Sequence, residues 1–385
     1  MMSRQKENLF SDFRAVSKKE WAEKAREDLK NEDVFEKYNW ALEEGLVLQP
    51  YYDRGDLTDS AKAFHNRLLI KDNTTGEPRE WENIQKIVVS DARIANKTAL
   101  EALNNGADGV IFDLSKTAAI VPLEELLESI LIDYCSISFI FNNNYAAYLE
   151  YYNNYVRNKG IDILALKGFI ALNHAGQGSF LEVFDQTINY SNIKSIAIRS
   201  EKNKASEEVA ELLTKAVSHI NAIVDTGIDP QQALSNLAVI TNISGNYFGE
   251  IAKVRAIRQL FFQVARAYGI EDFNPEDLYI HCISPAWTDE KYQPHANMLK
   301  ATTAAMAAVL GGCNSLTVDP EDYNNPLMVR IARNVSHILK EESYLNKTAD
   351  PVAGAYFIEV VTDEIAKNAW TMFQKEVARK EEVQK

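Results

Sequence analysis

Cysteine is scarce: only Cys135, Cys282 and Cys313 occur in 385 residues, odd in number, far apart and without CxxC spacing. That excludes a disulfide framework and a cysteine-based zinc site, and leaves reduced thiols of the cytosolic kind. Long apolar runs are missing as well, since no stretch approaches the roughly 18 apolar residues of a membrane span. The opening MMSRQKENLF carries no apolar leader core, and the acidic stretch behind it is unlike an Arg-rich, acid-poor transit peptide, so the expected location is cytoplasmic. Positive charge is in deficit: 41 Lys and Arg face 55 Asp and Glu, for a net charge of -14. With no basic stripe to offset this locally, nucleic acid and anionic membranes are excluded as expected partners.

What is present is a repeated alternation. Eight short apolar runs, 86–91, 109–113, 136–142, 168–174, 195–200, 238–242, 278–282 and 315–319, are separated by helix-compatible stretches. This predicts a (β/α)8 TIM barrel, an α/β fold of about 250 residues, which the 46% hydrophobic content can fill. The division expected is an N-terminal arm and connector at 1–80, the barrel at 81–362, and a terminal helix or linker at 363–385. In the arm, Ser17 and Glu20 have capping-box spacing, and Trp21, Ala25 and Leu29 form an apolar stripe. Such an arm has no core of its own and must pack on this barrel or on another subunit. Later helices are expected at 249–269, with Ile251, Val254, Ile257, Phe261, Val264 and Tyr268 on one face, at 295–310 and at 326–341.

Barrel enzymes work at the C-terminal ends of their strands. That rule makes Asp91, Asp113, Asn142, Asn173, His174, Arg199, Asn242, His281 and Asp319 the candidate mouth residues. Three groupings could carry chemistry there. His281 with Asp91, Asp113 and Asp319 offers metal-ligand types, although strand ends are rich in such groups in any barrel. The stretch Asn173-His174-Ala-Gly-Gln-Gly178 could cradle phosphate or simply form a hydrogen-bonded loop. Arg199, Lys202 and Lys204 could hold an anion, but Glu201, Glu207 and Glu208 dilute their charge.

In the C-terminal half, the segments 244–262 (SGNYFGEIAKVRAIRQLFF), His281-Cys282, 303–316 (TAAMAAVLGGCNSL), 330–343 (RIARNVSHILKEES) and 350–359 (DPVAGAYFIE) follow one another in a distinctive order. Together they resemble the substrate-barrel domain of the methylmalonyl-CoA mutase family, over about residues 17 to 375. The resemblance implies a barrel from an adenosylcobalamin-dependent enzyme, in which an acyl-CoA thioester lies along the axis and a radical rearranges its carbon skeleton.

The departures from the family pattern fall on its chemistry. Where active members have Ser-Gly-Tyr-His after the fifth strand, this chain has Arg199-Ser200-Glu201-Lys202, so Lys202 replaces the histidine that the family aims at the thioester carbonyl. The Thr-Met-Tyr and Arg-Pro-Trp segment before the first strand is replaced by Lys71 to Glu80. After His281-Cys282 the chain reads Ile283-Ser-Pro-Ala-Trp-Thr in place of a Gln-Thr-Ser-Gly type. No Asp-x-His-x-x-Gly surrounds any histidine, so no lower cobalt ligand and no cofactor-binding or metal residue is expected here. This pattern resembles the family's small-subunit branch, whose catalytic residue set is lost and whose larger partner holds adenosylcobalamin and acyl-CoA. Phe112, Phe139, Phe141 and Phe169 are expected to refill the axial channel. The competing expectation is an enzyme with its own remodelled mouth, using Lys202, His174, His281 and Asp113 on another acyl-CoA or small acid.

Overall fold

Eight short strands pair edge to edge, all parallel, until the last meets the first and closes a barrel. They are β3 (Glu82–Val88), β4 (Gly109–Asp113), β5 (Ser136–Phe141), β6 (Gly168–Leu172), β7 (Ile193–Arg199), β8 (Leu237–Asn242), β9 (Tyr279–Ser284) and β10 (Ser315–Val318). The computed structural model describes residues 14, 16–59, 80–117, 120–142, 144–173, 177–286 and 296–383. Every strand lies on a run expected from the sequence, but β3 begins four residues before its run and ends at Val88. The reason is chemical: Asp91 accepts the Ile94 backbone N–H at 3.0 Å and caps the next helix, so the chain has already left the sheet. Close strand packing also fixes β6, because Gly168 has φ 138° and a Cβ there would meet the Ile137 carbonyl oxygen at 2.0 Å.

Period-two alternation decides what fills the barrel and what faces the helices. Ile84, Ile111, Phe169, Ala171, Ala238 and Ile240 form one buried cluster on the axis. Phe112, Phe139 and Phe141 belong to a different cluster, shared with the helices outside β4 and β5. There Phe139 and Phe141 stack at 5.6 Å and meet Tyr152 and Tyr148 of the helix α5 (Tyr145–Lys159). The expectation that all four phenylalanines plug the axis is therefore corrected to Phe169 alone. The neighbours of the other three in sequence, Ile111 and Asp113 around Phe112 for example, take the inward positions.

The outer layer comprises α3 (Ala92–Asn104), α4 (Leu123–Leu126), α5, α6 (Gln177–Thr187), α7 (Ala205–Val224), α8 (Pro230–Ser235), α9 (Tyr247–Ala267), α10 (Ala296–Gly311) and α11 (Pro326–His337). A long last helix, α12 (Tyr356–Val383), lies across α7 and α9. It buries α9 on its outer side too, so that Arg255 has no exposure, while Lys253 and Arg258, at most 1% exposed, are covered at the two ends of the barrel. Arg255 binds Asp350 at 2.5 Å and Glu359 at 2.9 Å, tying α9 to the start of α12. Arg258 donates to the carbonyls of Pro275, Leu278 and Gly312 and to Asn314, and so fastens the loops under the barrel. No helix among the described residues is long and apolar enough to cross a membrane.

Ahead of the barrel, α1 (Lys18–Asp28) begins with the Ser17–Glu20 capping box, and Trp21 stacks on Tyr51 at 4.4 Å. After α2 (Val34–Tyr38), the hairpin β1 (Trp40–Glu43) and β2 (Leu46–Leu48) presses Leu46 and Leu48 into the main core. Glu43 accepts the Ser206 N–H at 3.2 Å, Tyr52 meets Phe357 edge-on, and Thr58 donates to Asp363 at 2.7 Å. The described arm is thus fixed to α7 and α12 of its own barrel, while Tyr38 and Trp40 remain about half exposed.

Candidate barrel-mouth site

Strand geometry sorts the sequence candidates into three depths. At the C-terminal rim, Asp319 follows β10 and binds Lys86 of β3 at 3.1 Å, with only 14% and 19% of the two side chains exposed. Tyr323 donates to the same carboxylate and lies under the Lys86 ammonium, 5.3 Å from its ring centroid. Burial, and then the adjacent Asp319 charge, push the Tyr323 phenol above its usual range, so it stays protonated as a donor. Asp113 ends β4 and accepts from the Ser115 backbone N–H at 3.1 Å and from its hydroxyl. Asn142 and Asn173, just past β5 and β6, each hold a buried Oδ1 with no hydrogen-bond partner among the described residues. His174 lies outside the described residues.

His281 is not at the mouth. Strand β9 continues two residues beyond the expected end, to Ser284, which places the imidazole inside the barrel with no exposure. Its Nδ1 is 2.7 Å from the Ser315 hydroxyl, its ring is 5.1 Å from Phe169, and Nε2 has no partner among the described residues. Burial, aided by the Lys86 charge, lowers its pKa to about 3 and holds it neutral. The proposed quartet of His281, Asp91, Asp113 and Asp319 is therefore dispersed: one group is buried, one caps a helix and one is paired with Lys86. Among the described residues no three His, Cys, Asp or Glu side chains gather in a way that could hold a metal.

The third grouping is dispersed as well. Arg199 lies 3.6 Å from Glu201, and Lys204 3.1 Å from Glu207, both as partly exposed pairs of little energetic weight. Lys202 is exposed, at the edge of a cavity of about 390 Å³ beside the ends of β7 and β8. The inner wall of that cavity holds a cluster that sequence reasoning missed. Lys253 binds Glu208 at 2.8 Å, Glu250 at 2.6 Å and the Asn242 carbonyl at 2.8 Å, while Thr241 and Ser244 donate to the two carboxylates. Burial works against the ammonium, but Glu250 and Glu208 outweigh it and raise the Lys253 pKa. Its i, i+3 spacing to Glu250 was visible in the sequence, but Glu208 comes from another helix.

Comparison with known proteins assigns these features a lineage. The family model described as methylmalonyl-CoA mutase matches residues 184–380. The methylmalonyl-CoA mutase small subunit of Porphyromonas gingivalis is 30% identical over 97% of this chain and 64% of its own length. The small subunit of Streptomyces virginiae is 25% identical over 97% of this chain and 65% of its own length. The P. gingivalis large subunit matches a shorter part, at 32% identity over 44% of this chain and 24% of its own length. The chain thus spans under two thirds of the small subunits it matches end to end. With more than half of its residues covered by the family model, which takes in the last four strands of the barrel, the chain belongs to the methylmalonyl-CoA mutase family.

Proposed function

We propose that this chain is the supporting, non-catalytic small-subunit component of an adenosylcobalamin-dependent methylmalonyl-CoA mutase, with a larger homologue holding both cobalamin and acyl-CoA. The observation that carries this reading is the filled axis: Ile84, Ile111, Phe169 and Ile240 are each at most 6% exposed, and His281 is fully buried beside them. A pantetheine arm threaded along that axis would have to displace this packing, at a cost of several kcal/mol for a well-packed core. The position expected to carry the thioester-binding histidine is Lys202, which is exposed.

The described residues do not fit cobalamin. Among the described histidines, His281 is sealed in the barrel, His219 lies against Phe180 at 3.9 Å, and His337 sits beside Asn83 under the barrel. None offers a free imidazole to cobalt at the rim. What is left is a barrel maintained by Arg255, Arg258 and the Lys253 cluster, with half-exposed aromatics on its arm. The relatives in P. gingivalis, named as small and large subunits, supply the model for the partnership.

The test is the isomerisation of methylmalonyl-CoA to succinyl-CoA, measured with adenosylcobalamin for this chain alone, the large homologue alone and the two mixed. Turnover is expected only where the large homologue is present, and is highest in the mixture. Turnover by this chain alone would refute the reading and favour an enzyme with its own remodelled mouth.

A further inference from the structure

At the opposite end of the barrel from the mouth lies a cleft of about 530 Å³, under β3, β4 and β5. Most of its charges are matched. Lys340 binds Glu80 at 2.8 Å, approaches Asp108 at 3.9 Å and lies over the Trp81 ring. Two are not. Glu82, on the inner wall, makes no ion pair among the described residues; its carboxyl is held by hydrogen bonds from Ser136 at 2.5 Å and Tyr279 at 3.2 Å. Lys167, at the outer edge, likewise makes no ion pair among the described residues, and acts on Glu82 only through space. Leu100, Leu103, Ile130, Leu131 and Tyr134 give the cleft an apolar part, beside polar groups from Asn104, Ser129 and Asn314. Leu131 and Tyr134 are 67% and 82% exposed at the entrance, where a solvated loop would carry polar groups.

We propose that this cleft binds an apolar α-amino acid, with its ammonium on Glu82, its carboxylate at Lys167 and its side chain against Leu103, Ile130 and Tyr134. One unmatched acid and one unmatched base lining a single cleft are complementary to a zwitterion. One free lysine can balance a carboxylate but not a polyphosphate. The two hydroxyl donors fix the Glu82 carboxyl in place before a ligand arrives, so little ordering is left to binding. Burial raises the Glu82 pKa, as it does for a carboxyl lacking a cation, and an incoming ammonium would reverse that. The site is remote from the mouth and stands whether or not the chain is catalytic.

Calorimetric titration of the whole chain with L-leucine and L-phenylalanine tests this, beside 3-phenylpropionate, which lacks the ammonium, and phenethylamine, which lacks the carboxylate. Both amino acids should bind, and phenylalanine should bind about tenfold or more tighter than either truncated analogue. Glu82→Gln should weaken phenylalanine by about tenfold. Lys167→Ala should erase its advantage over phenethylamine. Because Glu82 supports the strand ends, Asn104→Trp serves as a second variant: Asn104 is exposed at the cleft, and the indole should block binding while melting stays unchanged. No binding of either amino acid at millimolar concentration, analogues that bind as well as phenylalanine, or undiminished binding in folded Glu82→Gln or Asn104→Trp would each overturn the proposal.

Discussion

His281 and Ser315 face each other across β9 and β10 inside the barrel, with imidazole Nδ1 and hydroxyl 2.7 Å apart. The contact joins two polar side chains beside the apolar axial cluster, and it leaves Nε2 unpartnered among the described residues. An isolated buried donor or acceptor costs about 1–3 kcal/mol, whereas removal of both partners of a pair can be nearly neutral. Ser315→Ala should therefore lower unfolding stability by about 1–3 kcal/mol, and the double variant His281→Leu/Ser315→Ala should recover most of that loss. Urea midpoints for the two singles and the double decide it. A double variant as unstable as the sum of the singles would show that the pair is not coupled.

The same burial sets a pH dependence. His281 and His219 have pKa values lowered to about 3 and about 4, against an unperturbed value of 6.5; desolvation is the main cause in both. Between those folded values and 6.5 the unfolded chain binds protons that the folded chain refuses. Stability should therefore be fully present above pH 6.5 and fall as the pH is lowered toward 4. Denaturant midpoints from pH 7.5 to 4.5 should show a downward slope that flattens in His219→Phe. A curve equally flat in wild type and variant would contradict the assignment.

Lys253 is an expensive residue to remove. Its loss leaves Glu208 and Glu250, both about 7% exposed, without the cation that holds them together. Breaking a buried ion pair by deleting one partner costs about 3–5 kcal/mol. Lys253→Met should approach that figure in thermal and urea unfolding, while Lys253→Met with Glu208→Gln and Glu250→Gln should lose clearly less. Equal loss in both proteins would mean that side-chain volume, and not charge, governs the site.

The sequence made the barrel plain because parallel strands covered on both faces are continuous apolar runs. Depth within it was less visible. His281 looked like a rim residue because its run seemed to stop at Cys282, although Ile283 and Ser284 continue the strand. Phe112, Phe139 and Phe141 have the bulk to fill an axis, but alternation sends them outward. Arg255 resembles part of a solvated helix face until α12, about 100 residues later, covers it, and Arg258 until the loops at Pro275 and Gly312 do. The Lys86–Asp319 pair was hidden by the shifted start of β3 and by its span from the first barrel strand to the last.

Adenosylcobalamin added to the isolated chain should leave the corrin absorption spectrum unchanged. His281, sealed inside the barrel, and His219, packed against Phe180, offer cobalt no replacement for its lower axial base. A shift in the visible bands, or an electron paramagnetic signature of nitrogen from a protein histidine in the reduced cofactor, would refute the assignment of cobalamin to the partner.

Partner contact should be carried by the arm, and the structure narrows the test. Deletion of residues 1–45 would remove β1 and with it a hairpin whose Leu46 and Leu48 are core residues, so any loss of assembly would be ambiguous. Trp21 is already stacked on Tyr51 and has a local role. Tyr38 and Trp40 differ: they are 51% and 47% exposed, large and adjacent to the docked hairpin. Buried aromatic anchors at stable interfaces typically cost 2 kcal/mol or more on truncation, roughly a thirtyfold loss of affinity. Tyr38→Ala/Trp40→Ala should therefore melt like the wild type yet bind the large homologue at least tenfold more weakly by sedimentation or calorimetry. Unchanged assembly would make the arm a cap on its own barrel and move the search for the partner surface elsewhere.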